Sequence, residues 1–203
     1  MSPSNNSNSN SNSNRSNSTS TAHTDWRIKL LGESILLNPR TDDNQDDSFT
    51  LTKSVPTAQA LEGYDYIALF FGANYCPYCR NFAPVVAQAR ELLESKKNCK
   101  VIFVSNDSDQ ANFDEFCRKI RGIDAMQYNT VKTAVMRRLF GLRTIPALMI
   151  LSNKPEDLSS PRIYSNARNI LESDPQAKNF PWGSPEQKTI IKNPKSRSVH
   201  VSQ

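Results

Sequence analysis

The sequence has little of what a metal centre needs. Its 203 residues include two histidines and four cysteines, and His23 and His200 both lie in the terminal segments. A structural zinc site takes four ligands at compact spacing, whereas the sequence contains one close cysteine pair, Cys76 and Cys79. We therefore expect no metal site and no bound cofactor. With so few cysteines in a chain of this size, a disulfide framework is not expected either.

The N-terminal segment lacks apolar side chains. Of the first 20 residues, 16 are Ser or Asn, a composition that buries too little surface to offset the entropy of ordering. The segment contains neither the apolar run of a signal peptide nor that of a membrane helix. We therefore predict a disordered arm over residues 1–24, a cytoplasmic location with entry into the nucleus left open, and no membrane partner.

The sequence also lacks a basic stripe. The net charge is +5, but the basic residues are scattered and not interleaved with aromatic residues, so we expect no nucleic-acid partner. A positive field would instead attract acidic partners or an anionic thiol carrier. Hydrophobic residues make up 37% of the chain, below the globular average. We predict one monomeric domain over 25–183, followed by a flexible basic tail over 184–203.

Three continuous apolar runs predict strands that are covered on both faces. These runs are residues 67–71 (IALFF), 101–104 (VIFV) and 147–151 (ALMIL). One or two further short strands are expected over 26–37, and residues 162–164 are expected to return as an edge strand. The strands alternate with segments of helical periodicity through the middle of the chain.

The predicted helices cover residues 77–95, 110–121 and 130–140, where apolar residues recur at helical spacing. Short helices are expected over 58–61 and 166–173. The alternation of strands and helices predicts an α/β fold, a three-layer sandwich with a central mixed β-sheet flanked by helices. The inward residues expected for the 130–140 helix are Val131, Ala134, Val135 and Leu139.

The candidate catalytic residues are Cys76 and Cys79, in a Cys-Pro-Tyr-Cys motif between a predicted strand and a predicted helix. The first turn of a helix has free N–H groups and partial positive charge, and both stabilise a thiolate at Cys76. Two intervening residues leave Cys79 one helical turn away, close enough for a reducible disulfide. Pro77 suits the first helical position, and Arg80 adds positive charge nearby.

A second motif, Thr144-Ile145-Pro146, directly precedes the 147–151 strand. A proline at this point can be cis and can present an unpaired backbone edge beside the thiols. A peptide or mixed-disulfide substrate could pair with that edge as an added strand. The candidate substrate-binding residues are Tyr75, Pro77, Tyr78, Ile145 and Pro146.

Together these motifs resemble the thioredoxin superfamily over about residues 26–183, and within it the tryparedoxin and nucleoredoxin branch. Residues 71–82 (FGANYCPYCRNF) resemble the active-site segment of that branch, FSASWCPPCRGF. Residues 101–107 (VIFVSND) are similar to the strand that follows it. Residues 166–168, 174–175 and 180–182 are similar to its terminal arginine, Asp-Pro and Phe-Pro-Trp elements.

The resemblance implies a thioredoxin-like fold with Cys76 as the attacking thiol, Cys79 as the resolving thiol and Pro146 as the cis-proline. It also implies a supporting role for Arg168, which matches the terminal arginine. The activity that it implies is a thiol–disulfide oxidoreductase that reduces protein disulfides. Its targets would be disulfide-containing proteins such as peroxidases, and its electron donor would be trypanothione, glutathione or a thioredoxin reductase.

The sequence departs from the family pattern at three positions. Tyr75 replaces the tryptophan that usually precedes the first cysteine of the branch, and Asn106 replaces the tryptophan of its second motif. Thioredoxins have a buried aspartate six residues before the first cysteine, where this chain has Phe70. The proton acceptor for Cys79 must then lie elsewhere, and water or Asp107 is the candidate.

Two alternatives remain at this point. The Cys-Pro-Tyr-Cys motif is also similar to that of dithiol glutaredoxins, which would make the reaction glutathione-dependent, although no Gly-Gly-x-Asp segment follows the 147–151 strand. A non-catalytic docking module of thioredoxin fold is the other alternative, against which the presence of both thiols argues. Cys99 and Cys117 are expected to be buried packing thiols, because free cysteine is among the most buried residue types.

Overall fold

A computed structural model of the chain describes residues 25–39, 51, 53–157, 161–164, 166–183 and 186–187. The arm predicted over 1–24 and nearly all of the tail predicted over 184–203 lie outside the described residues. Within the described ranges, no helix is both long enough and apolar enough to cross a membrane.

A single mixed β-sheet runs through the described part of the chain. Its strands are β1 (Ser34–Leu36), β2 (Ser54–Pro56), β3 (Tyr66–Gly72), β4 (Cys99–Ser105), β5 (Asp124–Met126), β6 (Ala147–Ser152), β7 (Arg162–Ile163) and β8 (Glu186–Gln187). They lie in the order β2-β1-β5-β4-β3-β6-β7-β8. The pairs β3–β4 and β4–β5 are parallel, and the other pairs are antiparallel.

Helices cover both faces of this sheet. They are α1 (Trp26–Leu31), α2 (Thr57–Ala60), α3 (Pro77–Lys96), α4 (Gln110–Lys119), α5 (Thr130–Phe140) and α6 (Arg168–Ser173), with a 3₁₀ turn at Pro155–Asp157. Residues of α3, α4 and α6 join the core on one face, and residues of α1 and α5 join the core on the other.

The side chains of β3 alternate between these two cores. Ala68 and Phe70 face the core of α3, α4 and α6. Ile67, Leu69 and Phe71 face the core of α1 and α5. All five are fully buried, which is what a continuous apolar run predicts for a strand between two helical layers. The predicted three-layer sandwich with a central mixed sheet is therefore confirmed.

The start of the domain differs from the prediction of strands over 26–37. Only Ser34–Leu36 is a strand, and Trp26–Leu31 is helical. Asp25 caps this helix, because its side chain accepts a 2.9 Å hydrogen bond from the Arg27 backbone N–H. The helix ends at Gly32, whose φ of 97° suits a residue without a Cβ.

The inward face of α5 also differs from the prediction. Val131 and Val135 are 73% and 61% exposed, and Ala134 is exposed as well. The buried residues are Thr133, Met136 and Phe140, at i, i+3 and i+7. Met136 and Phe140 on this face are larger than the two valines, so turning it inward buries more apolar surface.

Three strands, β2, β5 and β8, were absent from the prediction and change the sheet at its sides. β5 is three residues long, too short for a visible period, and it lies between β4 and β1. β8 pairs with β7, so residues 162–163 are not an edge strand of the described sheet. The sheet also extends past residue 183, the predicted end of the domain.

The two faces of α5 lead to a stability prediction. Met136→Ala is expected to lower the free energy of unfolding by about 2–5 kcal/mol, because it empties a fully buried site. Val135→Ala trims an exposed side chain of the same helix and is expected to change that free energy by less than about 0.5 kcal/mol. Urea denaturation of both variants measures the difference, and equal losses would contradict this assignment of the inward face.

Candidate active site at the start of helix α3

Cys76 is the N-cap residue of α3, and Pro77 occupies the first helical position. The Cys76 Sγ accepts a hydrogen bond from the backbone N–H of Cys79 at 3.3 Å. Sulfur therefore satisfies one of the donors that a helix start leaves unpaired. The same atom lies at the N-terminus of the helix, where the helix dipole places partial positive charge.

The two thiols of the motif differ in access to solvent. Cys76 is 8% exposed and Cys79 is fully buried. Cys76 is flanked by Tyr75 and Tyr78, which are 63% and 69% exposed. A disulfide of another molecule can therefore reach Cys76 first, between two exposed aromatic rings, whereas Cys79 can react only with what is already attached to Cys76.

The surroundings of Cys79 make this thiol less acidic than an ordinary cysteine. Burial raises the pKa of Cys79, and its hydrogen bond with Cys76 and the charges of Cys76 and Asp107 raise it further. Cys79 is thus held as a protonated thiol while Cys76 sits at the helix start. Both are free thiols in the structure, so the site is in its dithiol form. The two sulfurs of the site are therefore not equivalent.

The Ile145-Pro146 motif lies directly against the reactive sulfur. The peptide between Ile145 and Pro146 is cis, as the family resemblance implied, and the carbonyl oxygen of Ile145 accepts a hydrogen bond from the Cys76 thiol at 3.8 Å. The antiparallel pairing of β3 with β6 places Ala147 opposite Phe71, near the end of β3. This pairing brings two segments that are 69 residues apart to one site.

Asp107 follows the end of β4 and is 3% exposed. Its carboxylate accepts hydrogen bonds from the Asn74 backbone N–H at 2.8 Å and from the Ser105 hydroxyl at 2.9 Å. Burial raises the pKa of Asp107, although these hydrogen bonds oppose the shift. The structure therefore places a buried carboxylate where its charge acts on Cys79.

Phe70 takes no part in proton transfer. It stands six residues before Cys76, where thioredoxins have their buried aspartate, and it is fully buried. Its ring lies 5.8 Å from that of Phe82 and 5.6 Å from that of Phe103. An aspartate at this position would be surrounded by aromatic rings, so the carboxylate near Cys79 comes from the neighbouring strand instead.

The two predicted supporting arginines lie on either side of the motif. Arg80 bends back over the turn before α3 and donates a 2.6 Å hydrogen bond to the carbonyl oxygen of Asn74. Arg168 lies over the ring of Phe82, at 5.7 Å from its centroid. The side chain of Asn166 accepts hydrogen bonds from the backbone N–H groups of Leu148 and Arg168, which ties Arg168 to the start of β6.

The sequence did not single out Asn74 or Tyr128 as site residues. The Tyr128 hydroxyl donates a 3.3 Å hydrogen bond to the carbonyl oxygen of Asp107. Asn74 contacts Asp107, Arg80 and helix α4. The one signal available for Asn74 was its position two residues before Cys76, because no local pattern shows contacts to distant helices. In the described ranges, no three His, Cys, Asp or Glu side chains converge on a possible metal position.

Comparison with known proteins agrees with this geometry. A family model described as thioredoxin-like matches residues 63–156. A tryparedoxin of Trypanosoma brucei brucei is 30% identical over 117 residues, which cover 57% of this chain and 78% of that protein. Nucleoredoxin of Homo sapiens is 25% identical over 126 residues, which cover 62% of this chain but only 28% of that protein.

Solved structures show the same fold. Tryparedoxin II from Crithidia fasciculata matches with a TM-score of 0.64 at 22% sequence identity, over 78% of this chain and 94% of that one. Tryparedoxin from Trypanosoma brucei matches with a TM-score of 0.62 at 25% identity, over 78% of this chain and 99% of that one. Given these matches, the chain belongs to the thioredoxin-like family of thiol–disulfide oxidoreductases, in the branch that contains the tryparedoxins and nucleoredoxins.

Proposed function

We propose that this protein reduces disulfides of other proteins through the Cys76 and Cys79 dithiol. The observation that carries the proposal is the hydrogen bond from the Cys79 backbone N–H to the Cys76 Sγ at the first turn of α3. It holds the more accessible sulfur where a thiolate is stabilised, with a buried thiol one turn away. A docking module would need neither feature.

The reaction that we propose has two exchange steps. The Cys76 thiolate attacks one sulfur of the target disulfide, whose S–S bond breaks, and the released target thiolate takes up a proton. Cys79 then loses its proton and attacks the Cys76 sulfur of the mixed disulfide. The second target thiolate leaves, and a Cys76–Cys79 disulfide remains. Two electrons pass from the dithiol to the target, and a thiol reductant must supply two electrons to restore the enzyme.

Target binding is proposed at the surface around Cys76. Tyr75 and Tyr78 provide exposed aromatic area, which contributes strongly to protein contacts. Pro77, Ile145 and Pro146 line the approach to the sulfur, and the backbone before Pro146 would pair with an extended target segment. Arg80 and Arg168 add positive charge, which favours targets with acidic residues near their disulfide.

Asp107 is proposed as the group that takes the proton from Cys79 in the second step. It is buried and its charge acts on Cys79. Burial raises the pKa of Asp107, which makes the carboxylate a better proton acceptor than an exposed one. A buried base is needed because Cys79 itself has no exposed surface.

We propose the target and the electron donor of the reaction by their chemical class. The targets would be disulfide-containing proteins, with peroxidases as examples, and the donor would be a low-molecular-weight dithiol or monothiol, or a thioredoxin reductase. Reconstitution with each donor in turn would identify it. Turnover with glutathione alone would favour the glutaredoxin-type alternative, whereas the absence of a two-electron redox couple in a titration would favour a docking module.

Replacing Cys76 and replacing Cys79 are expected to affect disulfide reduction in different ways. Cys76→Ser should abolish insulin reduction, because no attacking sulfur remains. Cys79→Ser should stop turnover while leaving a stable mixed disulfide with the target, because the resolving sulfur is gone. Non-reducing electrophoresis and mass spectrometry detect the trapped adduct. Full insulin reduction by Cys76→Ser would overturn the proposal, and Cys99→Ala serves as a control for loss of an unrelated buried thiol.

Replacing the buried carboxylate should slow only the second step. Asp107→Asn is expected to lengthen the lifetime of the mixed disulfide about tenfold or more, because Cys79 loses its proton acceptor. Quenched-flow measurement of mixed-disulfide decay tests this. If Asp107 only raises the pKa of Cys79, its removal would shorten that lifetime, and this result would contradict a role as proton acceptor.

Asp107→Asn should also change how the free energy of unfolding depends on pH. Burial raises the pKa of Asp107 in the folded state, so ionising this carboxyl costs more in the folded protein than in the unfolded one. The free energy of unfolding therefore falls as the pH rises through the folded-state pKa. Asp107→Asn should therefore raise the free energy of unfolding at pH 7, with a gain that shrinks towards pH 4.

The matched control is Asp109→Asn at the exposed N-cap of α4. Hydrogen bonds to Asn112 lower the pKa of Asp109, so this control should show a loss at pH 7 that disappears in acid. Urea unfolding between pH 3 and pH 8 distinguishes the gain in the free energy of unfolding expected for Asp107→Asn from the loss expected for Asp109→Asn.

A further inference from the structure

Asn74 lies two residues before Cys76, in the turn between β3 and α3. In this turn the carbonyl oxygen of Ala73 accepts a 3.2 Å hydrogen bond from the Cys76 backbone N–H. Both backbone groups of Asn74 are engaged. Its N–H donates to the Asp107 carboxylate at 2.8 Å, and its carbonyl oxygen accepts from Arg80 at 2.6 Å.

The side chain of Asn74 is engaged at both of its polar ends. Its amide nitrogen donates to the Asn112 side-chain oxygen at 3.0 Å. Its amide oxygen accepts from the Lys119 ammonium group at 2.9 Å. One short side chain therefore joins the turn before Cys76 to two points on α4.

Helix α4 is a firm support for this turn. Asn112 and Lys119 are seven residues apart, about two helical turns, and therefore lie on the same face. Phe116 follows Asn112 by four residues, and both Phe113 and Phe116 are fully buried against the sheet. A tie to this face fixes the turn relative to the packed core and not merely to another loop.

We propose that Asn74 is a positioning residue for Cys76, acting through its side-chain bonds to Asn112 and Lys119. The pinned turn keeps Cys76 at the N-cap, where its Sγ receives the Cys79 N–H at 3.3 Å. When the tie is lost, the turn can shift relative to α4, and the N–H groups that favour the thiolate are less well aligned. This inference rests on the proposed function for its consequence in turnover, but not for its effect on the reactivity of Cys76.

The chemistry of the asparagine side chain explains how one residue reaches both partners. A carboxamide supplies a donor and an acceptor on opposite branches of one planar group, so it can bond Asn112 and Lys119 at the same time. The similar active-site segment FSASWCPPCRGF has serine at this position, and a single short hydroxyl cannot span both partners. Asn74→Ser should therefore behave like Asn74→Ala.

The test is the pH profile of Cys76 alkylation by iodoacetamide, with the modified peptide identified by mass spectrometry. For Asn74→Ala, the pH of half-maximal rate is expected to rise by roughly half to one unit, because hydrogen bonds to the charged form are weakened. The urea midpoint should stay at the parent value. The matched control is Asn81→Ala, an exposed asparagine on α3, whose profile should not move.

A double-mutant cycle with Lys119→Met separates the hydrogen bond from the lysine charge. Lys119→Met alone should shift the profile in the same direction but less, since the bond to Asn112 remains. In the Asn74→Ala background it should add nothing. A further shift in that background would mean that Lys119 acts through its charge, and an unshifted Asn74→Ala profile would overturn the proposal. If Asn74→Ala fails to fold, an unshifted Lys119→Met profile still overturns it.

The outcome is independent of the proposed activity. Alkylation requires no target disulfide, so a parent chain that does not reduce insulin would refute the proposed function and leave the Asn74 comparison valid. If the parent does reduce insulin, kcat/KM for Asn74→Ala should fall about tenfold through misplacement of the nucleophile. If the urea midpoint of Asn74→Ala fell far enough to account for the whole loss of kcat/KM, Asn74 would have a structural role only.

Discussion

The parallel pairing of β3 with β4 is the contact on which the geometry of the site depends. Its register sets Phe71 opposite Val104 and Gly72 opposite Ser105, so both strands end at the same edge of the sheet. The turn that contains Asn74 follows β3, and Asp107 follows β4. A 2.8 Å hydrogen bond from the Asn74 backbone N–H to the Asp107 carboxylate joins the two segments. A Cβ at Gly72 would lie 3.1 Å from the Phe70 ring, so the close packing here extends to the strand end.

The site that results is asymmetric, because its two sulfurs differ in burial and in surroundings. Cys76 caps a helix and retains a small exposed surface, whereas Cys79 is sealed in the core beside a buried carboxylate. The carbonyl oxygen of Ile145 contacts the first sulfur from a strand that is distant in sequence. The function that we propose uses this arrangement, with attack by the partly exposed Cys76 and resolution by the buried Cys79.

Predictions from sequence were reliable where a single segment contained the whole signal. The strands β3, β4 and β6 were predicted from continuous apolar runs and the helices α3 and α4 from helical periodicity. The resemblance to thioredoxins was confirmed. The prediction was wrong for α1, where a six-residue helix has an apolar pattern too short to distinguish from a strand. It was also wrong for most of the inward face of α5: Leu139 packs against the core as predicted, but Met136 and Phe140 are buried in place of the valines.

The sequence by itself determined that a cysteine pair would stand at the start of a helix, because helix capping, proline at the first position and strand-to-helix order are all local properties. It also indicated Asp107 as a candidate proton acceptor. Only the tertiary structure decided that Cys76 would be 8% exposed, that Phe70 would be enclosed by aromatic rings, and that Asn74 would reach α4. These features depend on strand register and on helix packing between residues far apart in the chain, and no local pattern carries that information.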